Sequence, residues 1–385
     1  VSAPGPGPAI RRLQLQDFRS YAKLDLAVQG KLVALTGENG AGKTNILEAI
    51  SLFAQGRGLR RAEFADMART GGSGVFAVSA LVETADGAEV RLGTGTERDA
   101  DGPVQRRCRI DRSNVSSAAA FAEHVRVVWL TPALDGIFTG AAGDRRRFLD
   151  RLVLAVDAGH AARVSALERA LRSRNRLLED HSADNAWLDA VEREVAEIGT
   201  AVAAARRETV VRLAALVAAE RDDASPFPWA DLSLTGALDE DLAIRPAVDV
   251  EDLFRRRLRE GRPRDRAAGR TLVGPQTSDL AVRHGPKGIP AAQASTGEQK
   301  ALLVGLVLAH ARLVAAMTGI VPLVLLDEVA AHLDPRRRAA LFSIVEAMGA
   351  QVWMTGADPA AFADLPAQAS LFEVTPGHVA AIERA

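Results

Sequence analysis

Gly37-Glu38-Asn39-Gly40-Ala41-Gly42-Lys43-Thr44 is the stretch from which the fold can be read. Its spacing is G-x-x-x-x-G-K-T, in which glycines allow a sharp turn that aims backbone N–H groups at phosphate oxygens. The flanks agree with that use. Residues 31–36 make an apolar strand running into the loop, and 43–55 carry apolar residues at 46, 47, 50, 52 and 53, the spacing of a helix. A helix starting here adds its free amides and the positive end of its dipole. Lys43 would put a point charge on the β- and γ-phosphates, and the Thr44 hydroxyl would ligate Mg2+. Gly37, Glu38, Asn39, Gly40, Ala41, Gly42, Lys43 and Thr44 are thus candidate ATP-binding residues, and Lys43 is also a catalytic candidate.

A second motif follows much later in the chain, 283 positions beyond Thr44. Residues 321–326 are apolar apart from Pro322, and they end in Asp327-Glu328. The C-terminal ends of buried parallel strands are where α/β proteins bind ligands. Asp327 is the candidate Mg2+ ligand beside Thr44, and Glu328 the candidate catalytic group that polarises the attacking water. Alone, such a pair could as well cap a strand; the phosphate loop favours the catalytic reading.

Working outward, residues 10–28 alternate as two short strands about a turn at Arg19-Ser20-Tyr21. Residues 75–82, 88–93 and 106–110 read as antiparallel strands with turns at Asp86-Gly87 and Asp101-Gly102-Pro103, and 125–130 as a further strand. Between Asp144 and Glu220 the chain is rich in Ala, Leu, Arg and Glu and reads as long helices over 144–180 and 185–220. A strand over 231–235 and an Arg-rich helix over 249–260 come next, and strand and turn signals return from Arg270. The expected organisation is a disordered lead-in (1–9), an ATPase lobe built from 10–135 and 269–385, and a helical lobe over 136–268.

Composition narrows the class. The chain has 385 residues, a net charge of −1 and a single cysteine, Cys108. An intrachain disulfide is excluded, a thiolate metal site is disfavoured, and any nucleic-acid surface must come from local clustering of arginine. Such clusters occur at Arg57, Arg60, Arg61; at Arg145, Arg146, Arg147, Arg151; and from Arg255 to Arg264. Arg57, Arg60, Arg61, Arg145 and Arg146 are the DNA-binding candidates, although arginine runs also pair with neighbouring acids. Few aromatics argue against a stacking platform for single strands and for backbone contact with duplex. Residues 301–326 are apolar enough to invite a membrane reading, but Arg312, His310 and Pro322 split them into a buried helix (301–317) and a strand (320–326). A cytoplasmic protein with no membrane partner is expected.

Further motifs carry a resemblance. Ala294-Ser295-Thr296-Gly297-Glu298-Gln299-Lys300 resembles the signature of ABC-type ATPases, where a Ser-x-Gly turn opens a helix; the same residues read as a capping box of Ser295 and Glu298. Ala331-His332-Leu333-Asp334 resembles the loop that crosses the dimer interface in that superfamily. Leu15-Gln16-Asp17-Phe18-Arg19-Ser20-Tyr21 is similar to the opening of SMC-like and RecF-like ATPases. Gly143-Asp144-Arg145-Arg146-Arg147-Phe148-Leu149-Asp150, Arg172-Ser173-Arg174-Asn175, Thr271-Leu272-Val273-Gly274-Pro275 and Gln351-Val352-Trp353-Met354-Thr355 resemble RecF motifs, in family order. Over residues 10–375 the chain is identified as a member of the RecF family. An SMC protein would need hundreds of coiled-coil residues between its nucleotide motifs, and no long heptad run fills this interval.

The resemblance implies an α/β fold: an ABC-type P-loop ATPase head with an inserted, mainly helical lobe. It implies ATP and Mg2+ as cofactors, with Arg19 at the nucleotide. It also implies a weak, DNA-stimulated ATPase that dimerises on ATP. Ser295, Gly297 and Glu298 would then reach the γ-phosphate held by the other subunit, with Asp334 in the dimer loop. Implied partners are DNA (duplex and single/double-strand junctions), RecR and RecO, and the implied outcome is RecA loading at single-strand gaps and stalled forks. Transporter and nuclease-linked ATPases fit less well, since the helical insert is atypical of the first and no room follows Thr355 for the second domain of the other. Gln276 and Thr277 depart from the family pattern, which places His and a polar residue there, and Thr355 or Gly356 stands near where a switch histidine would be.

Overall fold

The structure, a computed structural model, describes residues 7–98, 104–180, 184–329 and 333–382. Two compact units emerge. The first comprises the described residues up to Asp135, Ala224–Pro228, and those from Lys300 onward; the second comprises Gly136–Asp223 and Trp229–Gln299. Residues 269–299, expected with the ATPase lobe, therefore group with the helical insert. The cause is strand pairing: β9 (Ala230–Thr235) and β10 (Asp279–His284) run antiparallel through six residue pairs, and β11 (Ile289–Pro290) completes the sheet.

The first unit holds two six-stranded sheets. One is antiparallel, ordered β2-β1-β4-β5-β6-β7, from β1 (Ala9–Phe18), β2 (Tyr21–Ala27), β4 (Ala77–Glu83), β5 (Glu89–Arg98), β6 (Val104–Ile110) and β7 (Ser113–Val115). Residues 7–9 belong to the folded chain, correcting the disordered lead-in: Gly7 N donates to Gly349 O, and β1 begins at Ala9. The turn expected at Asp101-Gly102-Pro103 lies outside the described residues. The second sheet runs β15-β14-β3-β13-β12-β8 and is parallel except for β15. Its strands are β3 (Leu32–Thr36), β8 (Val127–Leu130), β12 (Leu323–Leu326), β13 (Val352–Gly356), β14 (Ser370–Thr375) and β15 (His378–Ala381). β3, β8, β12 and β13 are buried at every position, as expected of parallel strands covered on both faces. Ile10, Leu13 and Leu15 of β1, Val33 and Leu35 of β3, Leu323 and Leu325 of β12, and Ile46, Leu47 and Ile50 of the helix after the loop share one core. Cys108 is buried there.

Helix α1 (Lys43–Ser51) packs on β13 of the parallel sheet, and α9 (Pro335–Ala347) and α8 (Thr296–Thr318) from Lys300 onward belong to the same unit; the second unit carries α2 (Ala142–Val156), α3 (His160–Glu179), α4 (Asn185–Ala219), α5 (Ala237–Ile244), α6 (Ala247–Glu260) and α7 (Arg262–Ala268). The single helix expected over 144–180 is two, because Asp157 leaves helical geometry at φ −128°, ψ 96°. α8 has the length and composition of a membrane span, yet 67% of its most apolar window is buried inside the protein. A helix apolar on every face is what a core position demands.

Candidate nucleotide site

Three adjacent parallel strands deliver the site. β3 runs into the glycine loop, β12 ends at Asp327-Glu328, and β13, ending in Thr355 and Gly356, pairs with both. At Gly37 (φ 144°) an added Cβ would lie 2.2 Å from Val374 O, and at Gly42 (φ 113°) it would lie 2.8 Å from Ser20 Oγ and Tyr21 Oη. No larger residue fits either place, so the loop is a backbone device. Asn45 N donates to Gly42 O at 3.0 Å as α1 begins. Lys43 Nζ donates to Gly37 O (2.6 Å) and Glu38 O (2.8 Å), which holds the ammonium over the loop. Burial pushes its pKa below the ordinary lysine value, opposed by the charges of Glu328 and Asp327.

Thr44 Oγ1 donates to Asp327 Oδ1 at 2.9 Å, so the two expected metal ligands meet across 283 positions of sequence. Thr355 Oγ1 donates to the same oxygen at 2.8 Å and accepts from the Glu328 backbone N–H, also at 2.8 Å. Thr355 therefore fixes both members of the acidic pair; the sequence marks Thr355 or Gly356 only as standing near where a switch histidine would be. Glu328 sits at φ 55°, a region costly for a side chain, and this bond helps hold it there. Asp327 is pushed above the ordinary carboxylate range, chiefly by burial and further by Glu328; the two threonine bonds and Arg60 work the other way. One hydroxyl and one carboxylate suit Mg2+, which keeps water and takes phosphate oxygens. Among the described residues no group of three or more His, Cys, Asp or Glu could hold a metal alone.

Arg19 stands beside the loop helix. Its Nε and Nη2 donate to Glu48 Oε2 and Oε1 at 2.8 and 2.7 Å, and Nη1 donates to Asp66 O. Sequence reading missed Glu48, although an acid among Ile46, Leu47, Ala49 and Ile50 on a buried helix must find a partner. Arg60, a DNA-binding candidate, donates to Glu48 and to Asn45; Arg57 pairs with Glu63, while Arg61 is exposed at φ 57°.

In the second unit Arg145 makes a bidentate pair with Asp279 and Arg146 donates to Ser278 O, so both are engaged within the protein. Arg174 is wholly buried among Glu192, Asp265, Thr271 and the Leu258 carbonyl, and Asn175 accepts from Thr271. Gln276 and Thr277 turn inward onto the carbonyls of Thr271, Val273 and Gly274. At the signature, Ser295 N donates to Glu298 Oε2 at 3.1 Å and Glu298 N to Ser295 Oγ at 3.4 Å, a capping box at the start of α8. Lys287 Nζ lies 2.6 Å from Glu298 Oε1 and holds that carboxyl down to about 2. Gly297 would admit a Cβ without contact. In the dimer-loop motif Asp334 caps α9 by accepting from Arg337 N; Ala331 and His332 lie outside the described residues.

A strand–glycine loop–helix whose hydroxyl bonds an acid at the end of a second parallel strand, with an inserted helical unit, defines an ABC-type P-loop ATPase fold. Residues 9–379 match the family model "RecF/RecN/SMC N terminal domain". "DNA replication and repair protein RecF" of Mesorhizobium japonicum is 54% identical over 376 residues, covering 98% of each chain. The protein of that name from Brucella abortus is 52% identical over 375 residues, covering 97% of this chain and 96% of its own. Among solved structures, "recombination mediator protein RecF-ATPrS in RecFOR pathway" shares the fold with a TM-score of 0.86 at 20% identity, covering 99% of this chain and 100% of its own. An Smc head domain from Pyrococcus furiosus shares it at a TM-score of 0.52 and 15% identity, covering 97% and 96%. The chain belongs to the RecF family.

Proposed function

We propose that this protein is an ATP-dependent DNA-binding ATPase that dimerises on MgATP, hydrolyses it, and acts with RecO and RecR to load RecA in the recombinational repair of gaps and stalled forks. The observation that carries the enzymatic part is the Thr44–Asp327–Thr355 hydrogen-bond set, which gathers the loop hydroxyl and both acids at one sheet edge. The glycine loop amides, with Lys43, take the β- and γ-phosphates. Thr44 and Asp327 would hold Mg2+, which supplies charge neutralisation at the transferring phosphoryl group. Glu328 orients the attacking water. Ser295 and Gly297 reach the γ-phosphate of a second subunit, with Glu298 and Asp334 at that interface. The RecO and RecR assignments rest on relatives named for DNA repair and the RecFOR pathway, and RecA loading on the family resemblance alone.

DNA contact is assigned to backbone phosphates and to the arginine loop after α1. Arg60 is held by the buried Glu48 and by Asn45, whereas Arg57 pairs only with the exposed Glu63 and Arg61 is exposed, so Arg57 and Arg61 are the residues to change. Lys43→Ala should weaken a fluorescent ATP analogue at least tenfold, the loss of ~1.4 kcal/mol or more; unchanged affinity would refute the loop assignment. ATPase rate should rise with duplex DNA, and binding should weaken with salt by about 0.9 log units per phosphate neutralised. Arg57→Ala with Arg61→Ala should flatten that slope; a slope equal to the parent's excludes the loop from the interface.

A further inference from the structure

Glu48 is a fully buried carboxylate with two arginines on it and no part in phosphate or metal binding. Arg19 reaches it from the β1–β2 turn as a two-pronged fork, Nε to Oε2 and Nη2 to Oε1. Arg60 reaches the same Oε2 at 2.8 Å from beyond α1. The contacts then close on themselves. Arg60 Nη1 also donates to Asn45 Oδ1 (2.8 Å), Asn45 Nδ2 donates to Ser20 Oγ (2.9 Å), and Ser20 follows Arg19 in the chain. Asn45 itself follows Thr44. The ring thus fastens the turn 19–21 to the first turn of the phosphate-loop helix, and Tyr21 Oη adds a bond to Gly42 O at 3.2 Å.

Ordinary core packing does not account for this arrangement. Burying an acid with two guanidinium groups is costly, and an apolar residue of similar volume would pack at α1 with less penalty. Arg19 also stands at φ 52°, in the left-handed region, with its N–H on Met67 O and its Nη1 on Asp66 O. A strained backbone, a fixed fork and a shared buried counter-charge together determine one orientation of one guanidinium, 19% of whose side chain stays exposed beside the loop. Fixing such a group before the ligand arrives removes its ordering cost from the binding step.

We propose that Glu48 is a positioning residue of the nucleotide site: it holds Arg19 in the orientation that meets ATP, and Arg60 and Asn45 close the ring that keeps it there. The inference rests on the assignment of Arg19 to the nucleotide. Glu48→Gln preserves shape but leaves two cations on a neutral amide, so ATP affinity should fall about tenfold, the order of one charge-assisted hydrogen bond. KM for ATP should rise by the same factor, with kcat at saturation little changed, because the chemical groups Lys43, Asp327 and Glu328 are untouched. In an Arg19→Ala background Glu48→Gln should weaken ATP no further.

The experiment is a titration of the full chain with a fluorescent ATP analogue, with steady-state ATPase alongside, for the two single variants and the double. If Arg19→Ala weakens ATP but Glu48→Gln does not, or if Glu48→Gln costs the same in both backgrounds, Glu48 does not act through Arg19 and the proposal falls. If Arg19→Ala binds ATP like the parent, the assignment of Arg19 itself fails. Should Glu48→Gln not fold, Arg19→Lys decides: a lysine cannot span both carboxylate oxygens, so its affinity should match that of Arg19→Ala. A parental affinity in Arg19→Lys would show that no fixed fork is needed.

Discussion

Asp327 illustrates how a single residue can serve chemistry at the expense of the fold. It is buried, it lies beside Glu328, and its pKa is raised above the ordinary carboxylate value of 3.8. A folded-state pKa above the unfolded one means that ionisation at neutral pH costs stability, and that this cost disappears once the pH falls below the unfolded value. Asp327→Asn keeps an oxygen to accept from Thr44 and Thr355, and Glu328 remains opposite Lys43. The variant should therefore melt higher at pH 7 while losing ATPase activity. The gain should shrink as pH is lowered through the carboxylate range and vanish below about pH 3.8. Thermal melts across pH measure this; an Asn variant less stable than the parent at pH 7 would contradict it.

Among the elements, α3 depends on one buried cation. Arg174 donates to Glu192 of α4, Asp265 of α7, the Leu258 carbonyl of α6 and the Thr271 hydroxyl, at 2.7 to 3.0 Å. Arg174→Met fills much of the space but leaves the buried Asp265 without its cation, while Glu192 keeps Arg262. A loss of about 3–5 kcal/mol follows for the second unit, measurable by denaturant titration; a loss below 1 kcal/mol would mean that Asp265 finds another partner. The sequence marked Arg172–Asn175 by resemblance but could not give Arg174 this place, since its partners lie 18 to 97 positions away. What was legible is local and periodic: the glycine loop, the flanking strand and helix, the alternation of β1 and β2, and the apolar run into Asp327. What was not legible depends on distant pairing. β9 and β10 capture residues 269–299 for the second unit, the turn at Asp157 divides one expected helix, and Thr355 reaches Asp327 and Glu328 because β13 pairs beside β12. The pairing of the arginine clusters was hidden in the same way. Runs that look like a phosphate surface hold Asp279, Ser278 and Glu48 in the folded chain.

For the whole molecule, the motifs divide into a set that binds nucleotide and a set that the proposed mechanism gives to a partner. In that mechanism Lys43, Thr44 and Asp327 bind MgATP, whereas Ser295 and Gly297 open α8 in a short capping box held by Lys287. If the γ-phosphate is contacted from both subunits, ATP joins two copies through two equivalent sites related by a twofold axis, and hydrolysis removes the shared group. Glu328 then has no share in holding nucleotide; its backbone is fixed by Thr355, and the proposed mechanism gives its carboxylate to the attacking water. Glu328→Gln should keep ATP affinity within about twofold, since no phosphate contact is lost, stop turnover, and leave a long-lived dimer on DNA. Ser295→Arg should bind ATP as a monomer, because its bulk and charge lie at the contact and outside the loop. Analytical ultracentrifugation with saturating MgATP separates the outcomes. A monomeric Glu328→Gln variant, or a Ser295→Arg variant that dimerises like the parent, would mean that the γ-phosphate is not shared. The ATPase would then complete its site within one chain.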